Sequence, residues 1–238
     1  MFEIVRGGLA VIYFVIALFL IFSPPMIRYQ VIRTWSILTI KGLSFICGIT
    51  YRVKGYRNIP DKPAIIVSNH QSAWETIAYQ VIFPPQVWII KRELLKIPFF
   101  GWGLGLLSPI AIDRKSTTIA LRQTVQQGRD RLSKRFSIIV FPEGTRLKKD
   151  EVRKYQIGGA YLAHKTGTSI VPVAHNAGDV WAKNSFIKYP GNITVSVGAE
   201  IRSTHKKPKD LMHEAEEWIR NEVNSFENGR KLKYKDNY

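Results

Sequence analysis

The segment Ala64-Ile65-Ile66-Val67-Ser68-Asn69-His70-Gln71-Ser72-Ala73-Trp74-Glu75-Thr76-Ile77-Ala78-Tyr79 decides the fold. Residues 64 to 68 form an uncharged, apolar run that reads as a buried strand, and the chain from about Ser72 to Ile82 reads as a helix. A strand that gives way to a helix is the joint of an α/β sheet, and α/β enzymes commonly place reacting groups at that joint. His70 is therefore expected at an open sheet edge.

The pair His70 and Glu75 carries a specific chemistry. An imidazole can take a proton from an alcohol near neutral pH, and a carboxylate on its other ring nitrogen fixes the tautomer and stabilises the imidazolium. Five residues apart within one regular helix, the two would sit about 140° apart. The pair works only if His70 precedes the helix and Glu75 reaches back. The competing reading makes Ser72 the N-cap and Glu75 its capping-box partner.

Charge and composition narrow the function classes. The 238 residues suffice for one substantial domain with an appendage, and 45% are apolar against 22% charged, which excludes global disorder. Cys47 is the single cysteine, so there is no internal disulfide and no cysteine-rich zinc site. The five histidines form no His-Glu-x-x-His pattern, which makes a metal centre a weak hypothesis. A formal charge of +17 calls for an acidic partner: nucleic acid, anionic lipid, or a phosphorylated substrate or acidic carrier protein. No zinc finger, aromatic RNA-binding signature or basic zipper accompanies that charge, so nucleic acid is not expected.

The first fifty residues favour the membrane. Residues 7 to 27 carry no charge, and the helix-forming part to Phe22 would extend about 24 Å, short of a roughly 30 Å hydrocarbon core. Ser23-Pro24-Pro25 is no small-x-small cleavage site. A second apolar stretch, Thr34 to Thr50, points to a helical hairpin lying in or dipping into one leaflet. Tyr29 and Trp35 then belong at headgroup level, with Arg28, Arg33 and Lys41 toward anionic lipid.

Further strands are expected at Val87 to Ile90, Ile110 to Ile112, Ser137 to Phe141, Ser169 to Ala174 and Ile193 to Val197, with helices at Ser116 to Leu132 and from Gly158 onward. Pro172 places its strand at an edge or an irregular site. His175 reads as an ordinary hydrogen-bonded structural histidine. The run Lys148, Lys149, Asp150, Glu151, Arg153 and Lys154 reads as solvated surface. An amphipathic helix carries Leu211, Ala215, Trp218, Ile219, Val223 and Phe226, followed by a charged tail after Gly229 with little reason to order. The resulting division is a membrane-associated segment 1–50, a catalytic domain 51–228 and a tail 229–238.

Three strand ends, at His70, at Asp113-Arg114 and at Glu143 to Arg146, can meet at one sheet edge. With Ile110-Ala111-Ile112-Asp113-Arg114, Phe141-Pro142-Glu143-Gly144-Thr145-Arg146 and Ile170-Val171-Pro172-Val173 in this order after His70, the sequence resembles the glycerolipid acyltransferase family, especially its bacterial 1-acyl-glycerol-3-phosphate acyltransferases. The family's His-x-x-x-x-Asp is here His70 to Glu75, an acidic replacement one methylene longer. The resemblance implies a central mixed sheet flanked by helices, with a membrane-associated N-terminal helical pair. It implies that His70 activates the glycerol hydroxyl of lysophosphatidate, with Glu75 orienting it. Arg146, with Glu143, Gly144 and Thr145, would form the acceptor phosphate site, assisted by Asp113 and Arg114 and with Pro172 nearby. Glu143 would hold Arg146 or the loop. The donor would be acyl-coenzyme A or acyl-acyl carrier protein, with no resident cofactor, at the cytoplasmic side of a bacterial inner membrane. Transfer to another lysolipid, such as a lyso-ornithine lipid, is the enzymatic alternative; a noncatalytic basic binding protein is the alternative of another class.

Overall fold

The computed structural model describes residues 1–114, 116–148 and 151–235. The decisive segment forms strand β2 (Ile65–Ser68), with all four residues buried. The other strands are β1 (Ile49–Lys54), β3 (Gln86–Lys91), β4 (Ile110–Ile112), β5 (Ser137–Val140), β6 (Ile170–His175) and β7 (Gly191–Val197). They make one seven-stranded sheet in the order β1-β7-β6-β2-β5-β3-β4. Every neighbouring pair is parallel except β6 with β7. A strand buried on both faces needs a nearly continuous apolar run rather than alternation, as Ile65-Ile66-Val67 supplies.

The connections explain why this edge carries the site. From β2 the chain runs through α3 (Trp74–Ile82) to β3, leaving a slot that β5 later fills. Beyond β3, α4 (Phe100–Leu106) leads to β4; helix α5 (Thr117–Ser133) then delivers β5, and α6 (Gly158–Thr166) delivers β6 to the opposite side of β2. Successive connections thus diverge around β2, and ligands of open α/β sheets bind in such crevices beyond the strands' carboxyl ends. Because β6, β2, β5, β3 and β4 run parallel, their last residues emerge together.

Two layers cover the sheet. One face packs Trp74, Tyr79, Trp88 and Val173 with helix α2 (Pro25–Cys47). The other packs Leu162 and Ala163 of α6 with Leu211, Ala215 and Ile219 of α7 (Pro208–Lys235). Helix α2 begins with Pro25 at its first turn, where no amide bond is lost, and ends at Gly48 in the left-handed conformation.

Helix α2 corrects the lipid-facing assignments of Arg28, Tyr29 and Arg33. Tyr29 is buried, its ring 5.8 Å from Phe136 and its hydroxyl donating to Gln86 Oε1 at 3.2 Å. Arg28 is spent on backbone carbonyls, donating to Leu106, Ile21 and Ser23 at 2.7–3.0 Å. Arg33 donates to the Gln80 carbonyl at 3.0 Å. These groups fasten α2 to the domain. Helix α1 (Phe2–Phe19) differs: Ile4, Val11, Ile12 and Phe19 lie exposed along it, and Phe22 follows. Its start is fastened by the Glu3 to Lys188 ion pair and by Phe2 packed edge-on against Trp181. Among the described residues, no helix is long and apolar enough to cross a membrane.

Other departures have physical reasons. β1 carries Ile49, Tyr51 and Val53 at alternate positions, a strand signal that the helical reading to Thr50 passed over. Pro172 lies inside the sheet rather than at its edge, paired with Val67. The site is irregular, as expected: between the pairs Val173 with Val197 and Ile170 with Ile201, β7 side carries one extra residue, and Gly198 N–H donates to the Pro172 carbonyl at 2.9 Å. Helix α7 continues past Gly229 to Lys235, because residues 230 to 235 contain no breaker. Lys115, Lys149, Asp150 and residues 236–238 lie outside the described residues, and with them part of the run read as solvated surface and the end of the charged tail.

Candidate active site

His70 stands two residues past β2 and four before α3, so the regular-helix objection to its pairing with Glu75 does not apply. Its Nδ1 lies 2.7 Å from Glu75 Oε1. The same oxygen accepts the amides of Gln71 at 2.9 Å and Ser72 at 2.8 Å. Ser72 Oγ in turn accepts the Trp74 amide at 3.1 Å. The capping-box reading is only half met: Glu75 reaches back to the Ser72 amide, but the helix N-cap is Ala73 and Ser72 Oγ takes the Trp74 amide rather than that of Glu75.

Glu75 is fully buried. Burial alone would raise its carboxyl, but the His175 and His70 rings and the Ser72 amide outweigh burial and hold it at about 2. The helix N-terminus favours the same anion. A carboxylate on Nδ1 requires Nδ1 to carry the proton, leaving the Nε2 lone pair open. Nε2 has no hydrogen-bond partner among the described residues, and the side chain keeps 14% of its surface accessible. Phe141 stacks on the ring at 4.1 Å between centroids, 12° from parallel, which restricts the imidazole to one plane.

The His70 backbone is fixed as well. Its amide donates to Glu143 Oε2 at 2.7 Å, and its carbonyl accepts the Leu147 amide at 2.8 Å. The Phe141 to Leu147 turn is thereby tied to His70 from both sides. Glu143 holds the His70 loop, and no bond to Arg146 is among its contacts. Burial pushes the Glu143 carboxyl up to about 8; the His70 amide opposes this and the Glu75 charge adds to it.

The remaining expected site residues gather around that turn. Gly144 has φ of 73°, a region that disfavours side chains, and a Cβ there would lie 2.9 Å from Arg114 Nη1 and 3.0 Å from Gln156 Nε2. Arg114 Nη1 donates to the Gly144 carbonyl at 2.8 Å, while its buried Nε has no partner among the described residues. Asp113 closes β4, its amide donating to Gln123 Oε1 at 2.8 Å. Thr145 and Arg146 are half-buried beside Gly144, and the Arg146 guanidinium has no hydrogen-bond or ion-pair partner among the described residues. A planar cation with unspent donors, in the turn bonded to His70, has the chemistry to receive a phosphate. Pro172 is not brought to this edge; it lies buried opposite Val67, within the strand.

Residues 50–176 match the family described as Acyltransferase. The chain belongs to this acyltransferase family. A 1-acyl-sn-glycerol-3-phosphate acyltransferase of Pseudomonas aeruginosa is 42% identical over 200 residues, 82% of this chain and 78% of that protein. The protein of the same name from Borreliella burgdorferi is 36% identical over 148 residues, 61% of this chain and 59% of its own length. The alpha form from Homo sapiens is 32% identical over 177 residues, 73% of this chain and 62% of that protein. The crystal structure of the 1-acyl-sn-glycerophosphate acyltransferase from Thermotoga maritima superposes with a TM-score of 0.71 at 23% identity, covering 95% of this chain and 98% of that one. At that identity the likeness concerns the fold. The His70 to Glu75 pair and the Glu143 to Arg146 turn lie within the residues that match the family.

Sequence reasoning left three contributors without a role. Asn69, Phe141 and Leu147 lie within or beside the quoted motifs, but their bonds to His175 and contacts with His70 cross the sheet between distant segments and leave no local pattern.

Proposed function

We propose that the protein transfers a fatty acyl group from acyl-coenzyme A or acyl-acyl carrier protein to the sn-2 hydroxyl of 1-acyl-glycerol-3-phosphate, forming phosphatidic acid and releasing the thiol. The observation that carries this reading is the 2.7 Å bond from His70 Nδ1 to a buried, ionised Glu75, which leaves Nε2 as a base at the sheet edge. The names of the relatives supply the acceptor class.

In this reaction Nε2 takes the hydroxyl proton as the oxygen attacks the thioester carbonyl, and Glu75 stabilises the imidazolium. Collapse of the tetrahedral intermediate breaks the carbon to sulfur bond, and His70 returns the proton to the departing thiolate. No acyl-enzyme is required. The amides of His70, Gln71 and Ser72 are already spent on Glu143 and Glu75, so the oxyanion must be stabilised by donors outside this turn. Arg146, with Arg114 behind Gly144, receives the acceptor phosphate.

The exposed apolar residues of α1 and the +17 charge support contact with an anionic leaflet, and the proposed setting is the cytoplasmic face of a bacterial inner membrane. The test is thiol release by detergent-purified protein, given matched acyl-coenzyme A and acyl-carrier donors and either lysophosphatidate or a lysolipid without phosphate. Turnover with lysophosphatidate that disappears in His70→Ala is expected. Equal turnover on the phosphate-free acceptor would move the acceptor class to another lysolipid, and no turnover by folded protein would favour a binding protein.

A further inference from the structure

His175 ends β6 and is fully buried beside the site. It is bonded to one residue three times over. Its amide donates to Asn69 Oδ1 at 3.0 Å, its carbonyl accepts Asn69 Nδ2 at 2.9 Å, and its ring Nε2 lies 2.9 Å from the Asn69 carbonyl. Its Nδ1 accepts the Ala177 amide at 3.1 Å. A carbonyl on one ring nitrogen and an amide donor on the other assign a single form: neutral, with the proton on Nε2.

The Asn69 carbonyl belongs to the peptide that joins Asn69 to His70. It accepts a second bond from Ser68 Oγ at 3.1 Å. With the Glu143 bond on the His70 amide and the Leu147 bond on its carbonyl, both peptides flanking the base are held by partners from two other segments, β6 and the turn after β5. The ring contribution to this frame comes from His175. Its Nε2 is 3.8 Å from Glu75 Oε1, too far for a hydrogen bond but near enough for its N–H dipole to favour the carboxylate.

We propose that His175 is a positioning residue for the acyl transfer: its neutral Nε2–H ring holds the Asn69–His70 peptide and so sets the His70 imidazole against Glu75. The role rests on the proposed use of His70 as base. Protonating His175 would set an Nδ1–H against the Ala177 N–H and place a second cation beside the imidazolium that forms at His70 during turnover. The groups facing the ring are Glu75 and Tyr79 from α3, with the Tyr79 ring 6.1 Å away, His70 from the β2 end, and Asp179 from the turn after β6. Burial lowers the His175 pKa and outweighs the opposing pull of Glu75, in keeping with a ring that stays neutral.

The experiment compares wild type, His175→Leu and His175→Gln in the thiol-release assay with lysophosphatidate, with ¹⁵N-histidine NMR of the wild type. Leu keeps the bulk and loses the donor; Gln restores an N–H of similar reach. His175→Leu is expected to lose about 30-fold in kcat, on the scale of small misplacements of catalytic groups, with both KM values within about twofold. His175→Gln is expected to recover to within about fivefold of wild type. The NMR is expected to show His175 neutral with its proton on Nε2 across neutral pH. Unchanged kcat in folded His175→Leu, or equal losses in both variants, would overturn the role. So would a charged or Nδ1–H ring, a readout that stands even if the Leu variant does not fold. Absence of His70-dependent turnover in the wild type would instead remove the acyl-transfer reading, and this role with it.

Discussion

Two buried glutamates touch His70, and they sit in opposite states. Glu75, at the start of α3, gathers an imidazole and two amides on one oxygen and is held at about 2. Glu143, in the turn after β5, receives one amide and is pushed up to about 8. The difference teaches that burial does not decide ionisation here; the number and charge of the donors do. It also assigns the work. In the proposed reaction Glu75 would be the anion that supports proton transfer, whereas Glu143 is an acceptor that ties the turn after β5 to the His70 backbone.

The sharpest break of this comparison is Glu75→Gln, which removes the charge and keeps the shape. Its kcat is expected to fall by up to about 10⁴-fold, the scale seen when a triad carboxylate is neutralised, and steady-state thiol release measures it. Arg146→Ala probes the side that Glu143 ties down. Losing a charge-assisted contact of about 2 to 3 kcal/mol should lower kcat/KM for lysophosphatidate by roughly 30- to 150-fold, with the acyl-donor KM little changed. A wild-type acceptor KM and an undiminished phosphate preference would contradict the assignment.

Smaller effects sharpen the contrast through pH. A raised carboxyl in the fold contributes stability that is fully present below its unfolded value near 4.5 and is lost as pH rises through about 8. Wild type should therefore lose stability relative to Glu143→Gln between pH 5 and pH 9, read as a narrowing or reversal of the difference in Tm. Glu75 has the opposite sign: its contribution is present above about 4.5 and is lost as pH falls toward 2. His175, with a lowered value, also loses its contribution as pH falls below about 6.5.

Much of this site was legible because its chemistry is local. Ile65-Ile66-Val67 announced a strand, Ser72 and Glu75 announced a helix start, and the clusters at Arg114 and Glu143 followed strands that proved parallel. What escaped was non-local. His175 meets Asn69 across 106 positions, and Glu143 meets the His70 amide across 73. Neither bond has a sequence period. Arg28 and Tyr29 were misplaced because the apolar composition of residues 25 to 47 suits a lipid leaflet as well as a protein core; only packing against Phe136 and Gln86 separates them. β1 escaped for the opposite reason, since its alternation of Ile49, Tyr51 and Val53 was present but merged with the apolar helix before it.

The unequal roles proposed for the two glutamates are tested most directly by kcat for thiol release by Glu75→Gln and Glu143→Gln, side by side at pH 7.5 with lysophosphatidate. The expected result is a loss approaching about 10⁴-fold in the first and less than about tenfold in the second. Comparable losses in both variants, or turnover in Glu75→Gln near that of wild type, would contradict the assignment of Glu75 as the anion behind His70.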